Sequence, residues 1–217
     1  MFLITLEGID GCGKSTAANY VYEYLKEKNF KVILTREPGG DRIAESLREI
    51  ILDPKNIDIA SWTEALLYIA SRAQHISNVI SPAIKSNKIV VCERFSDSTN
   101  VYQGYARGLG YEHVNQLQNI VYGYIRPDLT IFLDIEPDEA IKRVEARTKE
   151  TKQKKDRLES EGREFFNSVY QGYKDIIASD KSERFMIVNA RKNLKNVKQQ
   201  IEDVVRNFLE VKLQKEL

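Results

Sequence analysis

Apolar residues gather into short runs along the chain, at Phe2–Glu7, Lys31–Thr35, Lys88–Glu93, Leu129–Asp134 and Arg184–Asn189. These read as strands buried in a parallel sheet. The intervals between them repeat with the helical period. Thr16 to Lys28 reads as a helix, and Leu194, Val197, Ile201, Val204, Val205 and Phe208 form one stripe near the C-terminus. A longer helix is expected from about Ser61 to Ile80, carrying Leu66, Leu67, Ile69, Ala70, Ala73 and Ile76, with Pro82 expected to kink or end it. Strands alternating with helices predict an α/β fold, a five-stranded parallel sheet covered by helices on both faces. There is no repeat and no Gly/Ser linker, so the 217 residues are expected to form one domain.

One segment breaks the pattern. Between Lys142 and Arg157 stand eight basic residues and three acids, and Thr148 to Lys155 contains no apolar residue. Such a stretch cannot bury itself and is expected to be mobile. It is either a solvated surface loop or, in a nucleotide-binding protein, a lid over about residues 143–160 that closes on the ligand and brings positive charge.

Total charge adds little, because 33 Lys+Arg offset 32 Asp+Glu and suggest neither a nucleic-acid nor a membrane-surface partner. No apolar run approaches the ~20 residues needed to cross a bilayer, and the N-terminus lacks the features of a signal peptide. A cytoplasmic location is expected. Cys12 and Cys92 read as free thiols rather than a bridge. Cys12 is also a possible point of inhibition, since alkylation there would put bulk where phosphate must sit.

The chemistry concentrates after the first strand. Gly8-Ile9-Asp10-Gly11-Cys12-Gly13-Lys14-Ser15 matches G-x-x-x-x-G-K-[ST], a loop that cradles the phosphates of a nucleoside triphosphate. Its amides and the following helix N-terminus, from Thr16 onward, face anions. Lys14 is expected to reach the β- and γ-phosphates and Ser15 to coordinate Mg²⁺. Ligands of an open parallel sheet lie beyond the carboxyl ends of its strands. There the chain offers Arg36-Glu37-Pro38-Gly39-Gly40 after the second strand and Arg94-Phe95-Ser96-Asp97-Ser98-Thr99 after the third. Arg48 and Arg72 lie nearby on helices. Several arginines around one crevice suggest a second anion besides the triphosphate, since the guanidinium fork grips phosphate through paired hydrogen bonds. Tyr68 shares a helix face with Arg72, and by periodicity alone it reads as core. No guanine-reading Asn-Lys-x-Asp follows a strand, so a small phosphotransferase fits better than a GTPase.

These motifs together, with Ala70-Ser71-Arg72-Ala73-Gln74-His75, Ser98-Thr99-Asn100-Val101-Tyr102-Gln103-Gly104 and Asp156-Arg157-Leu158-Glu159, resemble the thymidylate kinases in their order along the whole chain. The resemblance implies a three-layer P-loop fold, ATP and thymidine monophosphate (dTMP) as substrates, Mg²⁺ as cofactor and a homodimer formed through helices beside the sheet. It implies that Asp10 holds the sugar 3′-hydroxyl, that Arg94 with Arg36 and Arg48 holds the 5′-phosphate, and that Glu37 and Pro38 line the same site. Arg72 and Gln103 would bond the base, Tyr68 would stack on it, Ser98 and Thr99 would line its pocket, and Tyr102 would exclude a 2′-hydroxyl. With Gly11 after Asp10, the chain resembles the type whose lid supplies the catalytic charge, through Arg147 first and Arg157 second, with Arg143 stacking on adenine. Glu93 stands where the family usually has Asp, with a role as base or Mg²⁺ partner. The remaining alternatives are another nucleoside monophosphate or deoxynucleoside kinase, and a P-loop regulatory ATPase with no small acceptor.

Overall fold

The computed structural model describes residues 1–152 and 155–214. Its order is β1 (Leu3–Glu7), α1 (Lys14–Glu27), β2 (Val32–Arg36), α2 (Arg42–Leu52), α3 (Ser61–His75), a π-helical turn (Ile76–Ile80) and α4 (Ser81–Lys85). There follow β3 (Ile89–Glu93), α5 (Ser96–Thr99), a π-helical segment (Asn100–Ala106), α6 (Tyr111–Tyr122), β4 (Leu129–Asp134), α7 (Pro137–Thr151), α8 (Arg163–Ser179), β5 (Phe185–Asn189) and α9 (Leu194–Gln214). The strands form one parallel sheet, as the apolar runs predict, and their order is β2-β3-β1-β4-β5.

The middle strands are apolar on both sides because both sides are covered. Ile4 and Leu6 of β1, with Ile89 and Val91 of β3, join the core beneath α1, α8 and α9. Leu3, Val90 and Cys92 face the opposite core, with Ile69, Ile76, Ile80, Phe95 and Tyr122. Period-two alternation thus splits each strand between two cores and gives three layers. The chain moves from β1 to one side of the sheet for β2 and β3, then to the other for β4 and β5. The reversal leaves a crevice at the carboxyl end of β1.

Two expectations change. Pro82 neither ends the helix nor stands in its middle. The helical run widens to a π-helix over Ile76–Ile80, just ahead of Pro82, and continues through the proline to Lys85. The apolar stripe of α3 is also broader than its buried face, because Leu66 is half exposed.

One buried ion pair ties the far edge of the sheet to the crevice. Arg184, just before β5, donates through both terminal nitrogens to Asp97, at 2.7 and 2.8 Å, and also bonds the Thr130 hydroxyl. Asp97 is buried on α5, the helix that presents Ser98 and Thr99. Removing the cation would strand a buried carboxylate. Arg184→Ala is expected to lower unfolding free energy in urea by about 3 kcal/mol, and a loss below about 0.5 kcal/mol would refute the pin.

Candidate active site

The loop after β1 turns through Gly11 (φ +86) and Gly13 (φ +95), conformations that favour glycine. A Cβ on Gly11 would lie 2.3 Å from the Ala140 carbonyl oxygen of α7. The loop and the helix carrying Arg143 and Arg147 therefore meet backbone to backbone. No side chain caps the start of α1, so its first amides remain available to an anion. Lys14 is buried within the loop, donating to the Ile9 carbonyl at 2.9 Å. The Ser15 hydroxyl donates to Glu93 Oε1 at 2.9 Å, joining the β1 loop to the end of β3. Two hard oxygen ligands side by side suit Mg²⁺, so the donor set fits the cation that the sequence implies. Glutamate in place of aspartate still reaches Ser15.

Opposite Lys14 stands Arg94, in the left-handed region at φ +66. One Nη donates to the Gly8 carbonyl and the Ser98 hydroxyl, and the other to Asp10 and the Tyr102 hydroxyl. Tyr102 in turn donates to the second Asp10 oxygen at 2.9 Å. Burial by itself would raise the Asp10 carboxyl, but the Arg94 and Lys14 charges and the Tyr102 hydroxyl outweigh it and hold the pKa at about 2. Asp10 is thus an ionised acceptor throughout the neutral range. Arg36 and Arg48 both donate to the Pro38 carbonyl, at 3.1 and 2.8 Å, and Arg36 also pairs with Glu45. Burial and the neighbouring Arg36 charge pull the Arg48 pKa down, as expected of cations grouped without their anion. The Glu37–Pro38 peptide between them is cis.

Arg72 is buried and heavily committed. Its Nε donates to Glu37, one Nη to Thr99, Gln118 and Tyr122 at 2.9 Å each, and the other to the Phe95 carbonyl at 2.8 Å. Glu37 is shared with His75, which bonds onward to Thr35. Arg72 therefore knits β2, α3, α5 and α6 together and keeps little capacity for a ligand. Tyr68 is both buried and part of the crevice wall. The Gln103 amide nitrogen donates to Glu64 at 2.8 Å.

A crevice of about 560 Å³ joins these groups. Its wall includes Asp10, Gly11, Gly13, Lys14, Ser15, Thr16, Glu93, Arg143 and Arg147, together with Arg36, Glu37, Pro38, Arg48, Tyr68, Arg72, Arg94, Ser98, Thr99, Tyr102 and Gln103. Gly8 and Ile9 lie behind the wall, and Cys12 opens instead onto an adjoining cavity of about 320 Å³. That second cavity also touches Arg143 and Leu194, together with Tyr20, Ala190 and Lys192, which the sequence did not mark. Leu194 belongs to this wall rather than to the core.

Three sequence expectations need adjustment. Cys12 faces the adjoining cavity rather than the crevice of Lys14, and burial pushes its thiol up, which leaves less thiolate for a reagent to capture. Arg157 does not line the crevice; its guanidinium is buried against Glu64 and the Ile51 carbonyl. The first half of the expected lid, 143–151, is the end of α7, with Arg143 paired to Glu139 and Arg147 to Glu159. Residues 153 and 154 of that lid lie outside the described residues.

Sequence reasoning missed Glu64, Gln118 and Tyr122. The helical period could have found them. Glu64, Tyr68 and Arg72 recur every fourth residue on α3, and Val114, Gln118 and Tyr122 do so on α6.

The Asp10 pKa has a consequence for acid stability. A carboxyl at about 2 in the fold against 3.8 when free stabilises the protein above about pH 4, and this contribution fades as pH falls through that interval. The stability gap between wild type and Asp10→Asn is expected to be constant above about pH 4 and to close towards pH 2. A gap independent of pH in denaturant titrations would contradict the assigned ion pair.

The family described as thymidylate kinase matches residues 6–201 of the chain. The thymidylate kinase of Mycoplasma capricolum is 47% identical over 194 residues, covering 89% of each chain. That of Finegoldia magna is 46% identical over 203 residues, covering 94% of this chain and 97% of its own. Among solved structures, thymidylate kinase from Ehrlichia chaffeensis superposes with a TM-score of 0.73 at 32% identity, over 94% of this chain and 98% of that one. With the phosphate loop, the crevice arginines and the sheet order all in place, the chain belongs to the thymidylate kinase family.

Proposed function

We propose that the protein transfers the γ-phosphoryl group of ATP to dTMP, giving the diphosphate, and that residues 1–217 act as one unit in doing so. The observation that carries this reading is one continuous crevice whose wall holds both Lys14 with the phosphate loop and the arginines Arg36, Arg48 and Arg94. Such a site takes two phosphate-bearing ligands end to end. The adjoining cavity beside Arg143 and Tyr20 suits the donor's adenosine.

The acceptor phosphate is already an anion, so the reaction needs no strong general base. Catalysis is positioning and charge neutralisation around an in-line transfer. Lys14 and the loop amides hold the donor phosphates, and Arg94 orients the acceptor phosphate beside them. Ser15 and Glu93 would hold Mg²⁺, which supplies charge neutralisation across the donor phosphates when bound. Asp10 accepts from the sugar 3′-hydroxyl, while the Tyr102 ring stands where a 2′-hydroxyl would fall. Ser98 and Thr99 complete the base pocket and Tyr68 offers a stacking face. Arg147 is half exposed and held by Glu159, so it can exchange that partner for phosphate when the segment over 143–160 closes and excludes water.

Half-exposed or fully exposed apolar residues support a homodimer. Ile43 and Ile50 on α2, Trp62 and Leu66 on α3 and Ile120 on α6 are all more than two-fifths exposed. No helix among the described residues is long and apolar enough to cross a membrane. Two free buried thiols suit the reducing cytoplasm.

ADP release from MgATP is expected to be fast with dTMP, slower with deoxyuridine monophosphate and nearly absent with deoxycytidine, uridine and adenosine monophosphates. Turnover indifferent to the acceptor would favour the regulatory ATPase, and a different preferred acceptor another monophosphate kinase. Lys14→Ala and Arg94→Ala are each expected to lower kcat about 100-fold or more, the scale of losing one preorganised charge contact. A near wild-type kcat in either variant would remove its role. Leu66→Asp is expected to shift the protein from dimer to monomer in light scattering, and an unchanged mass would exclude the α2/α3 face.

A further inference from the structure

Glu64 lies one helical turn before Tyr68 and two before Arg72, yet it is no part of the crevice wall. It is 1% exposed and faces three side chains, Gln103 and Arg107 from the π-helical segment and its C-cap and Arg157 from the segment after α7. Gln103 Nε2 donates at 2.8 Å, Arg107 donates through Nε at 3.1 Å and Nη2 at 3.2 Å, and Arg157 Nη1 lies at 2.6 Å. Arg107 also bonds Glu161. Burial alone would raise the Glu64 carboxyl. The hydrogen bonds from Arg107 and Gln103 and the charges of Arg107 and Arg157 outweigh it and hold the group below the usual carboxylate range.

An ionised carboxylate accepts hydrogen bonds and donates none. A carboxamide beside it has one permissible orientation, nitrogen inward. Gln103 sits on the π-helical segment Asn100–Ala106, is 1% exposed and lines the crevice. With its nitrogen committed to Glu64, its oxygen lies on the opposite side of the amide. Arg157 has a buried Nη2 that is the unpartnered side-chain polar atom among the described residues. Leaving that hydrogen-bond capacity unmet makes sense if the residue's task is to keep Glu64 charged.

We propose that Glu64 is a positioning residue that sets the hydrogen-bond polarity of the acceptor-base pocket, turning the Gln103 carbonyl oxygen toward the base so that it accepts a ring N–H. The inference rests on reading the crevice as the dTMP site. Thymine and uracil carry a donor at ring position N3, whereas cytosine carries a lone pair there. The fixed amide therefore welcomes the first two and meets cytosine acceptor to acceptor. Discrimination of this kind comes from leaving a buried polar group unpaired.

The test is steady-state kinetics of the full chain with MgATP and either dTMP or deoxycytidine monophosphate. Glu64→Gln keeps the size of the side chain but can itself donate, which frees the Gln103 amide to turn over. The ratio of kcat/KM for dTMP over deoxycytidine monophosphate is expected to fall at least tenfold, through the acceptor KM, with the KM for ATP within twofold of wild type. In a Gln103→Leu background the same change is expected to leave the ratio where Gln103→Leu alone puts it. Glu64→Asp keeps an acceptor-only group and is expected to retain the wild-type ratio even where total activity falls. A Glu64→Gln enzyme that loses activity equally on both acceptors, or keeps the wild-type ratio, overturns the proposal. If Glu64→Gln does not fold, Glu64→Asp decides, since loss of the thymine preference there overturns it and retention supports it. A wild-type enzyme without preference for dTMP would instead overturn the reading of the crevice itself.

Discussion

The interaction between Arg94 and Asp10 holds the two halves of the crevice together. Asp10 comes from the loop after β1 and Arg94 from the turn after β3, and Tyr102 closes the arrangement from the π-helical segment. Arg94 occupies the left-handed region, which costs a non-glycine residue about 1–2 kcal/mol. The surroundings fix that conformation from both sides. The Arg94 amide donates to the Leu6 carbonyl at 2.9 Å, and the next amide, of Phe95, donates to the buried Glu7 carboxylate at 2.7 Å. Glu7 also accepts from Ser98 and Tyr173. A local distortion maintained by this many independent bonds keeps the guanidinium aimed at the phosphate loop.

Charge is distributed with a clear division of labour. Arg72, Arg157 and Arg184 are satisfied largely by protein groups and act as interior ties between elements. Arg36, Arg48, Arg94, Arg143 and Arg147 border open space and keep more of their charge for a ligand. The near-neutral total therefore conceals a crevice in which Lys14 and six arginines gather beside Asp10, Glu37, Glu93, Asp156 and Glu159. That is why net charge, which suggested no nucleic-acid partner, gave no hint of these local cations either.

Burial and function coincide along single helix faces. On α3 the same stripe that packs against the sheet carries Glu64, Tyr68, Arg72 and His75, all buried. Reading Tyr68 either as core or as a ligand platform posed a false alternative, because the residue is buried and lines the crevice at once. For Arg72 the balance falls the other way. Its place in the crevice wall was legible from spacing, but its donors are mostly spent on Glu37, Thr99, Gln118, Tyr122 and the Phe95 carbonyl.

The sequence by itself determined the sheet, the layers and the location of the chemistry. A strand buried on both faces is mostly apolar, with exceptions such as Thr5, Glu7 and Thr130 that are hydrogen-bonded, and a phosphate loop must place glycines and Lys14 at fixed spacing. Both constraints act between residues close in the chain and so leave local marks. Tertiary structure alone decided which polar side chains face each other. The Ser15–Glu93, Asp10–Arg94 and Gln103–Glu64 contacts join residues 78, 84 and 39 positions apart. It also decided that Arg157 turns inward to Glu64 and that Cys12 faces the adjoining cavity rather than the crevice of Lys14, although motif position suggested a place beside the phosphates for each. Those outcomes depend on the register in which helices pack over the sheet, and that register is a property of the assembled core that no short segment encodes.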